Sequence, residues 1–181
     1  MPKKVCELAY SSHKAPVSQG ISFKSLSSSG FSEDDMGFLA RLYASTRWEE
    51  VQQAPWSDKQ RKDFLLQQFD AQHKHYQSHY PKADYLLILK DQQAIGRVYL
   101  DRDATSICLI DIALLPEFKY KGLGTLLLDE LLLEAQSTNK KIVIHVENFN
   151  PAYQWYLNLG FKQVEDKGVH QYMEWYPDEN N

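Results

Sequence analysis

Two glycines separated by one residue, Gly122 and Gly124, lie between an apolar, β-branched segment and a leucine-rich segment. Residues 110–115 are typical of a strand that stops at Pro116, and residues 126–135 are typical of a helix. The first backbone N–H groups of such a helix have no partner within it and carry the positive end of its dipole. Glycine lets a phosphate group approach those amides. The sequence therefore predicts an anion-binding loop that suits a diphosphate.

Two well-known phosphate-binding motifs do not fit this loop. A P-loop requires Lys followed by Ser or Thr after the glycines, and the dinucleotide fingerprint requires Gly or Ala at position 127, which is Leu127. The remaining pattern is a polar residue, two further residues, Gly, one residue and Gly, from Lys119 to Gly124.

A second segment whose residues could take part in a reaction runs from Asn150 to Phe161. Asn150 and Pro151 suit the start of a short helix, and Gly160 suits its end. Between them lies Tyr156, whose phenol group can donate a proton. In this order, and separated by one helix and one strand, the two segments resemble the acetyl-CoA loop and the second signature of the GNAT N-acetyltransferase superfamily.

This resemblance covers about residue 21 to the C-terminal end and implies the GNAT fold. That is an α/β fold with a six- to seven-stranded mixed sheet, a splayed central parallel pair and about four flanking helices. Residues 21–181 would form the N-acetyltransferase domain, and residues 1–20, rich in Ser, Lys and Pro, would form a tail or extension. The strands through Leu114 and Ile144 would be parallel neighbours.

The resemblance also implies acetyl-CoA as the co-substrate, with no metal. Its pantetheine arm would pair with the backbone of Ile112, Ala113 and Leu114. The other residues implied in binding it are Lys119, Tyr120, Lys121, Gly122, Leu123, Gly124, Thr125, Asn150 and Tyr153. The chain departs from the family pattern at Lys119, where Gln or Arg is usual, and at Tyr120, where Gly is frequent.

Acetyl transfer to an amine requires removal of a proton from the amine and stabilisation of the departing thiolate. The resemblance implies that Tyr156 is the general acid beside the thioester sulfur. The general base stays open between Asp111, Glu147 with its neighbour His145, and a chain of water molecules. The alternative to an enzyme is a non-catalytic GNAT-fold module that binds acyl-CoA or a partner.

The acceptor, a primary amine of a small molecule or a peptide, is expected near the connection Arg47–Trp56. Glu49 and Glu50 would attract a cationic amine, and Trp48 or Trp56 would stack on it. The alternative is a polar loop that the two tryptophans hold against the core.

The remaining elements follow from periodicity and capping residues. Ser32 caps a first helix with a predicted buried stripe of Met36, Leu39, Ala40 and Tyr43. Ser57 and Gln60 form a capping box for a second helix, which Pro81 ends, with a stripe of Leu65, Phe69, Gln72, Tyr76 and Tyr80. Predicted strands cover residues 21–27, 85–90, 94–100, 106–115, 141–147, 161–165 and 169–175, with a three-residue turn at 91–93.

Composition limits the classes of partner. The net charge is −4 and no basic stripe stands out, which argues against nucleic-acid binding. No apolar run has the length of a membrane span, and Cys6 and Cys108 are expected to be reduced thiols in a cytoplasmic protein. The cluster His73, His75 and His79 lacks the spacing of a metal site, so we expect an exposed helix face there. A monomer and a homodimer are both compatible with the sequence.

Overall fold

The computed structural model describes residues 20–26, 31–166 and 168–178. The predicted N-terminal extension, apart from Gly20, lies outside the described residues, and so does Cys6. In chain order the elements are β1 (Ile21–Ser25), α1 (Glu33–Gln52), α2 (Asp58–His79), β2 (Asp84–Lys90), β3 (Gln93–Arg102), β4 (Ser106–Leu114), α3 (Leu123–Thr138), β5 (Lys141–Glu147), α4 (Ala152–Asn158), β6 (Lys162–Asp166) and β7 (His170–Trp175).

The strands form a seven-stranded mixed sheet in the order β1-β2-β3-β4-β5-β7-β6. β4 and β5 are parallel, whereas β5 with β7 and β6 with β7 are antiparallel. The parallel pairing runs from Ser106 opposite Lys141 to Leu109 opposite Ile144, and both strands continue beyond it. Within the described residues, the predicted mixed sheet with one parallel pair and four helices is confirmed.

The first of two compact units contains the described chain up to Val98 and residues 113–119. Both predicted helix starts are present: the Ser32 hydroxyl accepts from the Asp35 amide, and the capping box of Ser57 and Gln60 is complete. α1 packs against α2.

The predicted inner face of α1 is confirmed at Leu39, and its other three positions are only partly buried. Phe38 and Leu42 are buried, whereas Met36, Ala40 and Tyr43 are half-buried. Phe38 and Leu42 offer more apolar area than Ala40, so burying their side of the helix removes more apolar surface from water.

The predicted exposed histidine face of α2 is wrong for His73. This side chain is only 9% exposed, and its ring packs edge-on against Phe31 and beside Phe69 at centroid distances of 4.6 and 5.7 Å. Burial, with a further contribution from the Arg97 charge, lowers the pKa of His73. The two aromatic partners make the imidazole part of the apolar core, which sequence spacing alone did not indicate.

The second compact unit contains residues 99–112 and the described residues from Tyr120 onward. Its core includes the fully buried side chains of Ile107, Ile142, Ile144 and Met173. α3 packs on β5 and ends at Asn139, which adopts the left-handed conformation (φ 51°).

The turn between β2 and β3 differs from the prediction. It has two residues, Asp91 and Gln92, both with positive φ, because β3 begins at Gln93. That geometry matches the twist of a tight hairpin. None of the described helices has the length and apolar character needed to cross a membrane. Nor does the described chain bring three or more His, Cys, Asp or Glu side chains together as a metal would require.

Candidate active site

The glycine loop leads directly into α3 in the second unit. Gly122 is the N-cap residue with φ 78°, a left-handed conformation that favours glycine, and a Cβ there would meet no atom within 4 Å. The first intrahelical bond runs from the Leu126 amide to the Gly122 carbonyl at 2.9 Å. The amides of residues 123–125 precede that bond, and no acidic side chain lies in the first turn. This end of α3 therefore presents amide donors and positive dipole to open space.

The residues before Gly122 carry the departures from the family pattern. Lys121 is exposed and adds positive charge beside the helix start. Tyr120 is fully exposed and has φ 57°, a conformation that costs a non-glycine residue about 1 kcal/mol. Glycine at this position would avoid that strain, which gives a physical reason for its frequency in the family. Lys119 is half-buried and belongs to the first unit.

Gly124 lies one residue inside α3 and faces α4. A Cβ at Gly124 would lie 3.6 Å from the Trp155 ring, an ordinary van der Waals distance. The Trp155 ring in turn lies 5.0 Å from that of Tyr156. The amide-bearing end of α3 therefore packs on the helix that carries Tyr156, a contact that spacing in the sequence did not reveal.

Tyr156 is 6% exposed, and its ring packs edge-on against Phe161 at 5.4 Å. Among the described residues, the structure assigns no protein hydrogen bond to its hydroxyl group. Burial raises the pKa of Tyr156 well above its ordinary value, and the negative charge of Asp111 raises it further. The phenol is thus held in its protonated form, and Asp111 is close enough to act on it electrostatically.

Asp111 and Ile112 are half-buried on β4, beyond the point where its pairing with β5 ends. Glu147, the last residue of β5, is exposed, as is His145, whose ring lies 5.0 Å from that of Tyr172. The second unit therefore contains all three candidate bases, but only Asp111 acts on the pKa of Tyr156.

Ala113 and Leu114 belong to the first unit, where they meet β3. A Cβ at Gly96 would lie 2.4 Å from the carbonyl oxygen of Ala113 and 2.7 Å from Leu114 Cδ2. The Leu115 amide donates to the Ile95 carbonyl at 2.9 Å. Gly96 is thus required for the close approach of these strands at the segment predicted to pair with pantetheine.

Asn150 and Tyr153 both have structural partners in the second unit. The Asn150 side chain accepts from the Ala152 amide at 2.9 Å, but α4 begins at Ala152 with Pro151 as its N-cap residue, so the predicted helix start is one residue too early. The Tyr153 hydroxyl donates to Gln163 Oε1 at 2.8 Å. A role of either residue in binding a co-substrate remains a prediction.

The predicted acceptor segment is mostly helical, because α1 continues to Gln52. Arg47 and Glu50 form an ion pair of 3.1 Å along that helix. The short connection that follows is held by Arg61, which donates to the carbonyls of Val51 and Ala54 at 3.2 and 3.0 Å. Trp56 packs on Phe64 at 5.1 Å. These contacts hold the connection against α2 through Arg61 and Trp56, and a role of this segment in binding an amine stays a prediction.

Comparisons with known proteins concern one domain of the chain and its fold. Residues 81–163 match the family model described as acetyltransferase (GNAT) domain. No curated protein matches the sequence.

Several solved structures share the fold. The PaiA N-acetyltransferase from Thermoplasma acidophilum, in complex with coenzyme A, is 20% identical with a TM-score of 0.61, over 86% of this chain and 98% of that chain. An acetyltransferase from Streptococcus agalactiae is 17% identical with a TM-score of 0.58, over 87% and 99%. A GNAT family acetyltransferase from Elizabethkingia anophelis, with acetyl-CoA bound, is 16% identical with a TM-score of 0.54, over 87% and 99%. Residues 81–163, which contain both signature segments, therefore match a GNAT acetyltransferase domain, and this chain shares its fold with solved acetyltransferases.

Proposed function

We propose that this chain is an acetyl-CoA-dependent N-acetyltransferase that acts on a primary amine of a small molecule or a peptide. One observation carries the proposal: the open amide end of α3 packs, through Gly124 and Trp155, on the helix that carries the buried Tyr156. A helix end that can bind an anion, beside a helix that carries a buried proton donor, suits a thioester that contains a diphosphate. Two solved structures of the same fold contain coenzyme A or acetyl-CoA.

The residues at the glycine loop fit this co-substrate. The left-handed Gly122 leaves open space, and the first turn of α3 has no carboxylate that would repel a diphosphate. Lys119 and Lys121 would add charge as point donors. We assign the diphosphate to the amides of residues 121–125 and the pantetheine arm to the backbone of residues 112–114.

When bound, acetyl-CoA supplies an acetyl group activated as a thioester. The protein has to remove a proton from the attacking amine and to stabilise the charge on the departing sulfur. Asp111 and Glu147 are carboxylates that would attract a cationic amine and accept its proton, directly or through water. Tyr156 would donate a hydrogen bond to the sulfur.

The raised pKa of Tyr156 refines this role. A thiol has a pKa of about 8.5, and burial raises the pKa of Tyr156 above the usual tyrosine value of about 10. Complete transfer of the phenol proton to the thiolate is therefore unfavourable. A hydrogen bond to the developing thiolate does not require complete transfer and is worth about 1.5–3 kcal/mol when one partner is charged. We therefore assign Tyr156 as a hydrogen-bond donor that stays protonated.

Two measurements test the proposal. In the first, coenzyme A binding is followed by calorimetry for the wild type, Gly124→Glu and Gly124→Gln. The two variants place side chains of equal size beside Trp155 and differ in charge. We expect Gly124→Glu to bind at least about tenfold more weakly than Gly124→Gln, because a carboxylate repels the diphosphate at the helix end. Equal affinities would contradict the assignment of the loop.

In the second measurement, release of free thiol from acetyl-CoA is followed with a panel of small amines and peptides. Amine-dependent release that Tyr156→Phe reduces would support the enzyme. Binding of coenzyme A without release for any amine would instead favour a non-catalytic acyl-CoA-binding module.

A further inference from the structure

A chain of four side-chain hydrogen bonds crosses the second unit. The Tyr153 hydroxyl donates to Gln163 Oε1 at 2.8 Å, and the Gln163 amide donates to Gln171 Oε1. The Gln171 amide donates to Asn148 Oδ1 at 2.9 Å, and the Asn148 amide donates to the Gly168 carbonyl. This amide chain joins α4, β6, β7, the loop after β5 and the hairpin turn between β6 and β7.

The direction of the amide chain is set by its end at Gly168. A carbonyl oxygen only accepts, so Asn148 has to turn its NH₂ group toward Gly168 and its oxygen toward Gln171. Gln171 then has to donate to Asn148 and accept from Gln163. By the same reasoning Gln163 accepts at its other end, so the Tyr153 hydroxyl is the donor. Each amide therefore has a single orientation.

Gln171 is the buried centre of this chain, with 9% of its surface exposed. In register it lies opposite Val146 on β5 and Asp166 on β6. A buried amide that loses one partner costs free energy because water cannot replace the lost bond. Buried networks of this kind hold a single arrangement when every member is satisfied.

The amide chain stabilises α4, a helix that needs tertiary contacts to form. α4 has seven residues, well below the length at which an isolated helix is stable. Its first turn is held by Tyr153 through the amide chain. Its last turn is held at Tyr156, whose ring packs on Phe161 and whose backbone carbonyl accepts from the Phe161 amide at 3.1 Å. Since Tyr153 and Tyr156 lie three residues apart on one helix face, the bond at Tyr153 sets how the helix is rotated.

We propose that Gln171 is a positioning residue, which acts through the amide chain to orient α4 and thereby the Tyr156 hydroxyl. The proposal rests on the proposed function for its kinetic consequence, and on the hydrogen bonds alone for its structural one. The hydrogen bonds of Gln171 and Gln163 lead to Tyr153 and not to Tyr156, so both residues would act through the helix.

The test is Gln171→Glu, with Gln154→Glu as matched control. At neutral pH the new carboxylate still accepts from Gln163 but has no hydrogen to donate to Asn148, and Asn148 cannot turn over because of Gly168. The amide chain therefore breaks at one bond. Gln154 lies on the exposed side of α4, where its amide donates to Asn158 at 3.1 Å. Its substitution places the same charge on α4 outside the amide chain.

For Gln171→Glu we expect kcat to fall on the order of tenfold or more, because a small displacement of a catalytic group has that effect. The KM for acetyl-CoA should stay within about twofold, since this binding is assigned to residues 112–114 and 121–125, which are not part of the amide chain. Gln154→Glu should keep wild-type kcat. An equal loss in both variants would overturn the proposal, because added charge alone would explain it.

The pH profile separates positioning from simple destabilisation. A protonated carboxyl can donate to Asn148, so the ratio of Gln171→Glu to wild-type kcat should rise as the pH falls through the pKa of the new group. Asp166 lies opposite that position on β6, and Tyr153 of α4 is linked to it through Gln163. Glu147 and His170 lie on the other face of the sheet. Asp166 would raise the pKa of the new group. A ratio that does not change with pH would overturn the proposal.

Hydrogen exchange tests the structural half without any substrate. We expect the backbone amides of α4 and of Phe161 to exchange faster in Gln171→Glu than in Gln154→Glu. Unchanged exchange would overturn the positioning role even if wild-type activity is found. Faster exchange in a chain that acetylates no amine would support the amide chain and refute only the proposed function. Should Gln171→Glu not fold, Tyr153→Phe removes the terminal donor at the exposed end and should show the same faster exchange and a smaller loss of kcat.

Discussion

Replacement of Tyr156 by Phe isolates the hydroxyl group. The ring keeps its packing against Phe161 and Trp155, and only one oxygen atom is removed from a position that is 6% exposed. Among the described residues the hydroxyl has no protein hydrogen bond to lose. We therefore expect the free energy of unfolding to change by less than about 1 kcal/mol.

The expected kinetic effect follows from one hydrogen bond to a developing thiolate. Such a bond is worth about 1.5–3 kcal/mol, which corresponds to about 10- to 150-fold in kcat. The affinity for acetyl-CoA should change little, because the bond strengthens only as the sulfur gains charge. Burial and Asp111 raise the pKa of Tyr156, so the hydroxyl should stay protonated across the assay range.

The assay is thiol release at saturating acetyl-CoA with an accepted amine, at several pH values between about 7 and 9.5, a range below the usual tyrosine pKa of about 10. The control is Tyr176→Phe, a hydroxyl in the same unit that donates to Glu174 and is outside the proposed site. Tyr176→Phe should keep wild-type kcat.

Full turnover in Tyr156→Phe would refute the donor role and leave water or another group to stabilise the thiolate. A wild-type to variant ratio that declines steadily below pH 9.5 would refute the raised pKa, because the phenol would then be ionising within the assay range.

Three further outcomes are expected. Gly96→Ala would place a Cβ 2.4 Å from the carbonyl oxygen of Ala113 and should lower the free energy of unfolding by about 2 kcal/mol or more in urea titrations. As a control, Gly37→Ala in α1 would place its Cβ 3.6 Å from the flexible Arg41 side chain and should raise the free energy of unfolding by about 0.5–1 kcal/mol. Lys141→Met removes a hydrogen-bond donor from Glu174, which is 4% exposed. Burial raises the pKa of Glu174, but its hydrogen bonds lower that pKa overall. In the variant the free energy of unfolding at neutral pH should fall by about 1–3 kcal/mol, and the loss of stability on acidification should begin at a higher pH. Burial and the bond to Glu174 raise the pKa of Tyr172 to about 12, so the melting temperature should fall as the pH rises above about 10, and less steeply in Tyr172→Phe; an equal slope would contradict this.

Much of the fold could be predicted because local rules determine it. Caps such as Ser32 and the Ser57–Gln60 pair depend on a few neighbouring residues, and so does the left-handed Gly122 before α3. The parallel arrangement of β4 and β5 follows from the helix between them, since a crossover connection is needed for parallel strands. The turn at Asp91 was one residue shorter than predicted because its backbone adopts positive φ without any glycine.

The candidate site likewise has features that neighbouring residues determine and features that only the fold determines. The sequence by itself indicated the glycine loop, the segment with Tyr156 and the resemblance to the GNAT domain, because both segments are continuous in the chain. Only the tertiary structure decided that His73 is buried, that Gly96 has to lack a side chain, and that Gln171 connects Asn148 to Gln163. These features depend on partners far away in sequence, and a residue type does not specify which distant group will lie within hydrogen-bonding or van der Waals distance. That information exists only after the chain has folded, since packing selects one set of contacts from many that the same local patterns allow.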